Sequence, residues 1–307
     1  MSLHGLRSVT IGVPNVEETA AYYAEFGLTP DGDGWLSTAD AGRQLRIRPA
    51  PTRRLLELRV GADDADDLAR AAASLSRIGV PAQLREASLE ATEPVTGVRV
   101  GLDVAPRMRQ EQVPATSYNG PGRIDRPGGR APAFARSSRV RPRKLGHAVL
   151  GSTDHRATTA FFVDGLGFKV SDRIKDVGAF LRCSADHHNV LVLAAPVSFL
   201  HHTSWQVDDV DEVGRGAHAM LENRPERHVW GLGRHYAGSN FFWYLKDPAG
   251  NFSEYYSDMD CIVDDQLWTP EDLEGARGLF AWGPPPPPSF LNPDDLAAMM
   301  TGAHSAR

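Results

Sequence analysis

Leu6–Tyr23 reads LRSVTIGVPNVEETAAYY, and Leu145–Phe162 reads LGHAVLGSTDHRATTAFF. Each is a β-branched or apolar run, a polar turn, and an amphipathic segment carrying paired aromatics, the pattern of a strand leading into a helix. Each is followed by Gly-Leu, at Gly27-Leu28 and Gly165-Leu166. Downstream, Leu55–Leu68 (LLELRVGADDADDL) parallels Leu200–Val213 (LHHTSWQVDDVDEV), a strand running into an acidic helix start. Asp64 and Asp209 fall where an N-cap accepts a backbone hydrogen bond and the helix dipole favours negative charge. Helical spacing then places Val210, Val213, Ala217 and Met220 on one face, and Leu68, Ala69, Ala72 and Leu75 on the corresponding one. Each half closes on a strand, a turn and a strand: FFWYLKDPAGNFSEYY at Phe241–Tyr256, and a weaker EPVTGVRVGLDV at Glu93–Val104.

The chain therefore uses one α+β unit twice. The expected organisation is a βαβββ module over residues 1–105, an Arg/Pro-rich linker over 106–143, a second βαβββ module over 144–260 and an extension over 261–307. The basic linker reads as a solvated connector wrapping a domain rather than an anion-binding strip. Pro284–Pro288 reads as a polyproline strut packed on its own protein, because Trp282 and Phe290 beside it need burial.

Composition narrows the function. The length of 307 residues suits two domains, and 41% hydrophobic with 23% charged residues is globular usage. No apolar run is long enough to span a bilayer. The opening MSLHGLRSVTIGV lacks the layout of a secretory signal. Two cysteines, Cys183 and Cys261, imply neither a disulfide framework nor a zinc–thiolate site, so the expected compartment is the cytoplasm. A net charge of −6 gives no reason to expect nucleic acid or anionic membrane as a partner.

The histidine chemistry lies in the second half. His147 sits on the strand Lys144–Gly151, sharing a face with Val149. His202 sits on His201–Val207; alternation puts it with Ser204 and Gln206 and turns His201 to the other side with Trp205. Glu254 sits on Asn251–Tyr256, after the Asp247-Pro248-Ala249-Gly250 turn. Two imidazoles and one carboxylate from three strands can occupy one face of an octahedral metal, leaving positions open for substrate and O2. Any one of these residues alone is ordinarily a packed or solvated side chain. The repeat adds contrast, setting Ser8 opposite His147, Glu57 opposite His202 and the chain at about Val100 opposite Glu254. Ser8 and Val100 are not ligands, and Glu57 is expected to pair with a neighbouring arginine, so the first module reads as non-metal-binding.

These residues resemble the vicinal-oxygen-chelate (glyoxalase/bleomycin resistance/dioxygenase) superfamily, and within it the type I extradiol ring-cleavage dioxygenases. Lys144-Leu145-Gly146-His147 is similar to the first ligand strand, and Leu200-His201-His202 with Val207-Asp208-Asp209-Val210 to the second. Gly233-Arg234-His235, Tyr244, Asp247–Asn251 and Glu254-Tyr255 are similar to the C-terminal signature. The resemblance implies two tandem vicinal-oxygen-chelate modules, each built from paired βαβββ units. It implies iron(II), with manganese(II) as the alternative, on His147, His202 and Glu254. It also implies His188 as acid/base and His235 and Tyr244 against the substrate. The expected reaction is extradiol cleavage of a catecholic small molecule by O2, both oxygen atoms being inserted, in a homo-oligomer. The residue readings for the remaining groups place His187 outward, solvated or structural, and give Arg234 either a substrate carboxylate or a salt bridge. The rival readings are another metal-dependent enzyme of the superfamily, such as a glyoxalase-like lyase or epimerase, and a non-catalytic small-molecule binding protein.

Overall fold

The first half of the chain builds one sheet from eight strands: β1 (Leu3–Val13), β2 (Thr29–Pro30), β3 (Trp35–Thr38), β4 (Gly42–Pro49), β5 (Arg54–Ala62), β6 (Ala82–Leu84), β7 (Ser88–Thr92) and β8 (Arg99–Val104). The computed structural model describes residues 2–300; residues 301–307, the end of the expected extension with His304, lie outside the described residues. The strand order is β2-β3-β4-β1-β5-β8-β7-β6. β1 runs parallel to β4 and β5 parallel to β8, while β1 and β5 pair antiparallel at the centre. Each module is thus a pair of βαβββ units joined back to back.

The second half repeats this plan. Its strands are β9 (Lys144–Ser152), β10 (Lys169–Ile174), β11 (Gly178–Arg182), β12 (Val190–Ala194), β13 (Phe199–Gln206), β14 (His228–Arg234), β15 (Phe241–Lys246) and β16 (Phe252–Ser257). A ninth, β17 (Asp272–Leu273), comes from the C-terminal extension and lies parallel to the edge strand β10. The order β14-β15-β16-β13-β9-β12-β11-β10-β17 again centres on an antiparallel pair, here β9 and β13. The fold is α+β with the vicinal-oxygen-chelate architecture. No described helix is long and apolar enough to cross a membrane.

Local chemistry explains the helices. Asp64 and Asp209 each accept from the amide three residues on, Asp67 N at 2.9 Å and Glu212 N at 3.0 Å, satisfying a donor that helix geometry leaves open. Val213, Ala217 and Met220 are buried as the spacing requires. In Ala65–Arg77 the buried face is Asp67, Leu68, Ala71, Ser74 and Leu75. Ala72 is partly buried and packs against the same core, whereas Ala69 is exposed.

The helical layers of the two modules meet, and their apolar residues form one core. Phe26 stacks on Tyr255 at 3.7 Å between centroids, Tyr255 donates to Phe26 O at 2.6 Å, and the Tyr22 hydroxyl lies 2.6 Å from Ser253 Oγ. The helix Val16–Phe26 ends at Gly27, whose φ of 112° favours glycine and whose missing Cβ admits the Val140 carbonyl. Arginines of the linker bond to acids of both modules: Arg107 to Asp63, Arg136 to Asp209, and Arg143 to Asp208 and Asp40. Their charge is spent inside the chain. Trp282 departs from expectation. It is 49% exposed, and the proline run is held instead through backbone carbonyls, Trp230 Nε1 donating to Pro284 O at 2.7 Å. Phe290 does bury, against Trp230, Tyr244 and Phe252.

Candidate metal centre

The central strands of the second sheet bring His147 (β9), His202 (β13) and Glu254 (β16) together, with one donor atom from each within 4.8 Å of the others. Glu254 Oε2 lies 3.0 Å from His147 Nε2 and 3.6 Å from His202 Nε2, and the two imidazole nitrogens are 3.3 Å apart. All three side chains are buried. Register places Ser204 opposite both His147 and Glu254, and Val149 opposite His202, so the trio straddles three adjacent strands.

Hydrogen bonds fix which nitrogens carry protons. His201 Nε2 lies 2.6 Å from the Phe290 carbonyl, which can only accept, so His201 donates there and its Nδ1 is bare. His202 Nδ1, 2.7 Å from His201 Nδ1, must then be the donor, which leaves His202 Nε2 as a lone pair aimed at Glu254 and His147. Glu254 Oε2 has no hydrogen-bond donor. The His202 lone pair and a carboxylate oxygen facing it in a buried site repel one another unless a cation or a proton lies between them. Two nitrogens and one oxygen suit a divalent iron or manganese ion with open positions, and the orientation of His202 by His201 is the outer-shell support such ligands require.

Around this trio the remaining site candidates converge. His188 stacks obliquely on His147 with centroids 4.2 Å apart. His235 donates through Nδ1 to Leu279 O, so its Nε2 accepts from the Tyr244 hydroxyl at 2.9 Å. Asn240 Nδ2 holds the other oxygen of Glu254 at 3.2 Å, a contact the sequence reading did not anticipate. All these groups except Glu254 and Asn240 line a cavity of about 610 Å³, whose other walls include Val149, Phe180, Leu191, Phe199, Leu273 and Phe290.

Two expectations about histidines need correction. His187 is not outward and solvated. It is fully buried, 2.9 Å from Asp172 Oδ2 through Nε2 and 3.0 Å from His188 Nδ1 through its own Nδ1. His201 does not face away either; an irregularity in the β9–β13 pairing between Leu200 and His202 brings it to the cavity wall beside His202. Arg234 forms the salt bridge, to Asp258 at 2.6 Å, and does not line the cavity.

The first module shows what replaces a metal. By register, Ser8 and Arg59 pair as His147 and Ser204 do, and Arg59 faces Gly101 as Ser204 faces Glu254. The counterpart of Glu254 is therefore Gly101, one residue beyond Val100. A Cβ at Gly101 would run into the Arg59 guanidinium. That guanidinium bonds Asp103 and lies 3.2 Å from Glu57 and 3.6 Å from Glu90. A tethered cation thus neutralises the acids at this position. The expected stoichiometry is one metal per chain, falling to zero in His202→Ala and staying at one in Arg59→Ala. Elemental analysis of the purified proteins checks it, and two metals per wild-type chain would contradict it.

Burial sets the electrostatics. His188 and His202 are pulled well below the ordinary histidine range, and His201 down to about 4, by desolvation first. Burial alone would raise Glu254, but the rings of His147, His235 and His202 outweigh it and hold this carboxyl far below its usual range. The unfolded chain therefore binds protons on these histidines from about pH 6.5 downward while the fold does not. Stability is full above that pH and is lost as pH falls toward 4. Asp247, raised to about 6 chiefly by burial, opposes the trend as a single group. The thermal midpoint of metal-free protein should stay level from pH 7.5 to about 6.5 and fall below that toward pH 5; a flat or rising profile below pH 6.5 would mean that the three imidazoles are not held neutral.

The doubled βαβββ units and the three-donor centre define a class. Residues 144–255 match the Glyoxalase/Bleomycin resistance protein/Dioxygenase superfamily, and the chain carries a domain of that superfamily. Metapyrocatechase 2 of Cupriavidus necator is 39% identical over 180 residues, covering 57% of this chain and 56% of that protein. An iron-dependent extradiol dioxygenase of Rhodococcus jostii (strain RHA1) is 29% identical over 154 residues, 45% of this chain and 50% of that one. The chain thus spans about half the length of these two relatives. Among solved structures, a Mn(II)-bound glyoxalase from Novosphingobium aromaticivorans superposes with a TM-score of 0.73 at 26% identity, covering 94% of both chains.

Proposed function

We propose that this protein opens the ring of a catechol by extradiol cleavage with O2, at an iron(II) or manganese(II) centre held by His147, His202 and Glu254. The observation that carries the reading is the convergence of His147 Nε2, the bare His202 Nε2 and a carboxylate oxygen of Glu254, beside an apolar cavity that also presents His188, His235 and Tyr244. A metal held by His147, His202 and Glu254 would supply Lewis-acid activation of the catechol and of O2. His188, neutral and facing the cavity, takes a hydroxyl proton from the substrate and returns it to the oxygen that leaves as the O–O bond breaks. The Tyr244–His235 pair hydrogen-bonds oxygens at the reacting end. Phe180, Leu191 and Phe290 keep bulk water out. One ring C–C bond beside a hydroxyl is broken and both atoms of O2 enter the product, a yellow ring-opened acid.

The test is anaerobic reconstitution with iron(II), addition of a catechol panel, admission of air, and simultaneous recording of O2 uptake and the visible spectrum. Stoichiometric O2 loss with a yellow product supports the reading. A metal-loaded protein that consumes no O2 with any catechol leads to the second reading, a glyoxalase-like lyase. The similarity to the Novosphingobium protein favours that alternative, while confinement of the donors to one module weighs against it.

The cavity also limits the substrate. Among the described residues lining it, Lys175 is the one lysine or arginine, and it is largely exposed and paired with Glu274 at 2.6 Å. A substrate carboxylate pushed into the apolar end would lack a partner, which costs several kcal/mol. A catechol with an aryl or alkyl substituent is expected to exceed its carboxylate-bearing counterpart in kcat/KM by about 100-fold or more. Equal values for the two would contradict this.

A further inference from the structure

Behind His188 lies a chain of contacts that no part of the proposed reaction has used. Asp172, on β10, is buried; its Oδ1 accepts from the Glu271 amide at 2.8 Å, and its Oδ2 lies 2.9 Å from His187 Nε2. His187 is fully buried, its ring packed edge-on against Trp268 at 5.2 Å and Phe180 at 5.7 Å. Its Nδ1 lies 3.0 Å from His188 Nδ1. From His188 the series ends at the cavity wall, beside His147.

The proton positions follow from what each atom can do. A carboxylate only accepts, so the shared proton sits on His187 Nε2. A neutral imidazole with a proton on Nε2 has a lone pair at Nδ1. The contact to His188 is then a hydrogen bond only if His188 carries its proton on Nδ1, since the other tautomer would set two lone pairs against each other at 3.0 Å. His188 is left with a bare Nε2 toward the cavity.

We propose that Asp172 and His187 are positioning residues that lock His188 in the Nδ1-protonated tautomer, so that it meets a substrate hydroxyl as an acceptor. The same device, with the Phe290 carbonyl in place of Asp172, acts through His201 on His202. Both His-His doublets thus use the first ring to set the tautomer of the second. The catalytic part of this inference rests on the dioxygenase reading; the tautomer part does not.

The experiment uses the full-length, metal-free protein labelled with 15N in histidine, and long-range proton–nitrogen spectra that report which ring nitrogen is protonated. His187→Gln and His188→Gln assign the signals. Wild type is expected to show His187 protonated on Nε2 and His188 on Nδ1. Asp172→Asn is expected to turn His188 into a tautomer mixture. In the iron(II)-loaded enzyme it should lower kcat by about tenfold or more, as loss of an orienting partner does, with KM and metal content near wild type. If Asp172→Asn fails to fold, His187→Gln supplies the second measurement, because glutamine keeps a neutral polar group but cannot pass the tautomer on. A His188 protonated on Nε2, a doubly protonated His187, or a tautomer unchanged by both variants overturns the lock. A changed tautomer with unchanged kcat overturns the positioning role. A wild type with the expected tautomers that consumes no O2 leaves the lock standing and removes the dioxygenase reading instead.

Discussion

Glu254→Gln is expected to fold normally and to lose metal affinity by about 1,000-fold, with turnover lost alongside. The carboxylate is fully buried and ionised, and Oε2 has no competing donor. At an effective dielectric near 20, unit charges 4 Å apart attract by about 4 kcal/mol. A divalent ion doubles that attraction, so even half of the total is worth about three decades at 1.4 kcal/mol per decade. Glutamine keeps the volume and can still meet Asn240, so packing changes little. Its amide brings a donor toward His202 Nε2, whose lone pair it would occupy. Titration calorimetry with iron(II) or manganese(II), beside an oxygen-electrode assay, measures both losses. A variant that keeps one metal per chain and wild-type turnover would remove Glu254 from the centre.

The convergence of His147, His202 and Glu254 could be read from sequence because strands alternate and the halves repeat. His147 and Val149 do share the cavity face, and Ser8 and Glu57 do stand opposite His147 and His202. What escaped the sequence depends on departures from alternation or on contacts between distant segments. An irregular pairing near His201 breaks the two-residue period that sent it to the far face. The Val100 assignment missed by one residue because a weak closing strand offers no marker of register. His187 was placed outside because its partner, Asp172, comes from another strand. Trp282 was placed inside because side-chain apolarity was the only guide, whereas backbone hydrogen bonds hold that segment.

Arg53 is the sharpest case of a role invisible in sequence, where it is one of several arginines close to Glu57. Its side chain is 2% exposed. Nε and Nη2 bind Asp295 of the C-terminal segment at 2.6 and 2.8 Å, while Nη1 reaches Leu200 O at 2.6 Å and Asn251 Oδ1 at 3.3 Å. One guanidinium therefore ties the first module to the strand end just before His201 and to the segment that carries Phe290 over the cavity. Arg53→Ala is expected to cost about 3–5 kcal/mol, the range for breaking a buried charge pair. Two acceptors lose their donor and the Phe199 ring loses its cationic neighbour. Asp295, whose side chain is 23% exposed, can rehydrate, so its share of the loss is smaller. Arg53→Met, which refills the volume without a charge, should recover part of the loss, separating packing from pairing. Urea midpoints of the three proteins give the order wild type, Arg53→Met, Arg53→Ala. Limited proteolysis should cut the C-terminal segment of Arg53→Ala first, because that segment loses its bidentate anchor while the sheets keep theirs. A cost below about 1 kcal/mol, the scale of an exposed pair, with unchanged proteolysis would mean that the segment is held by Phe290 and its aromatic neighbours alone.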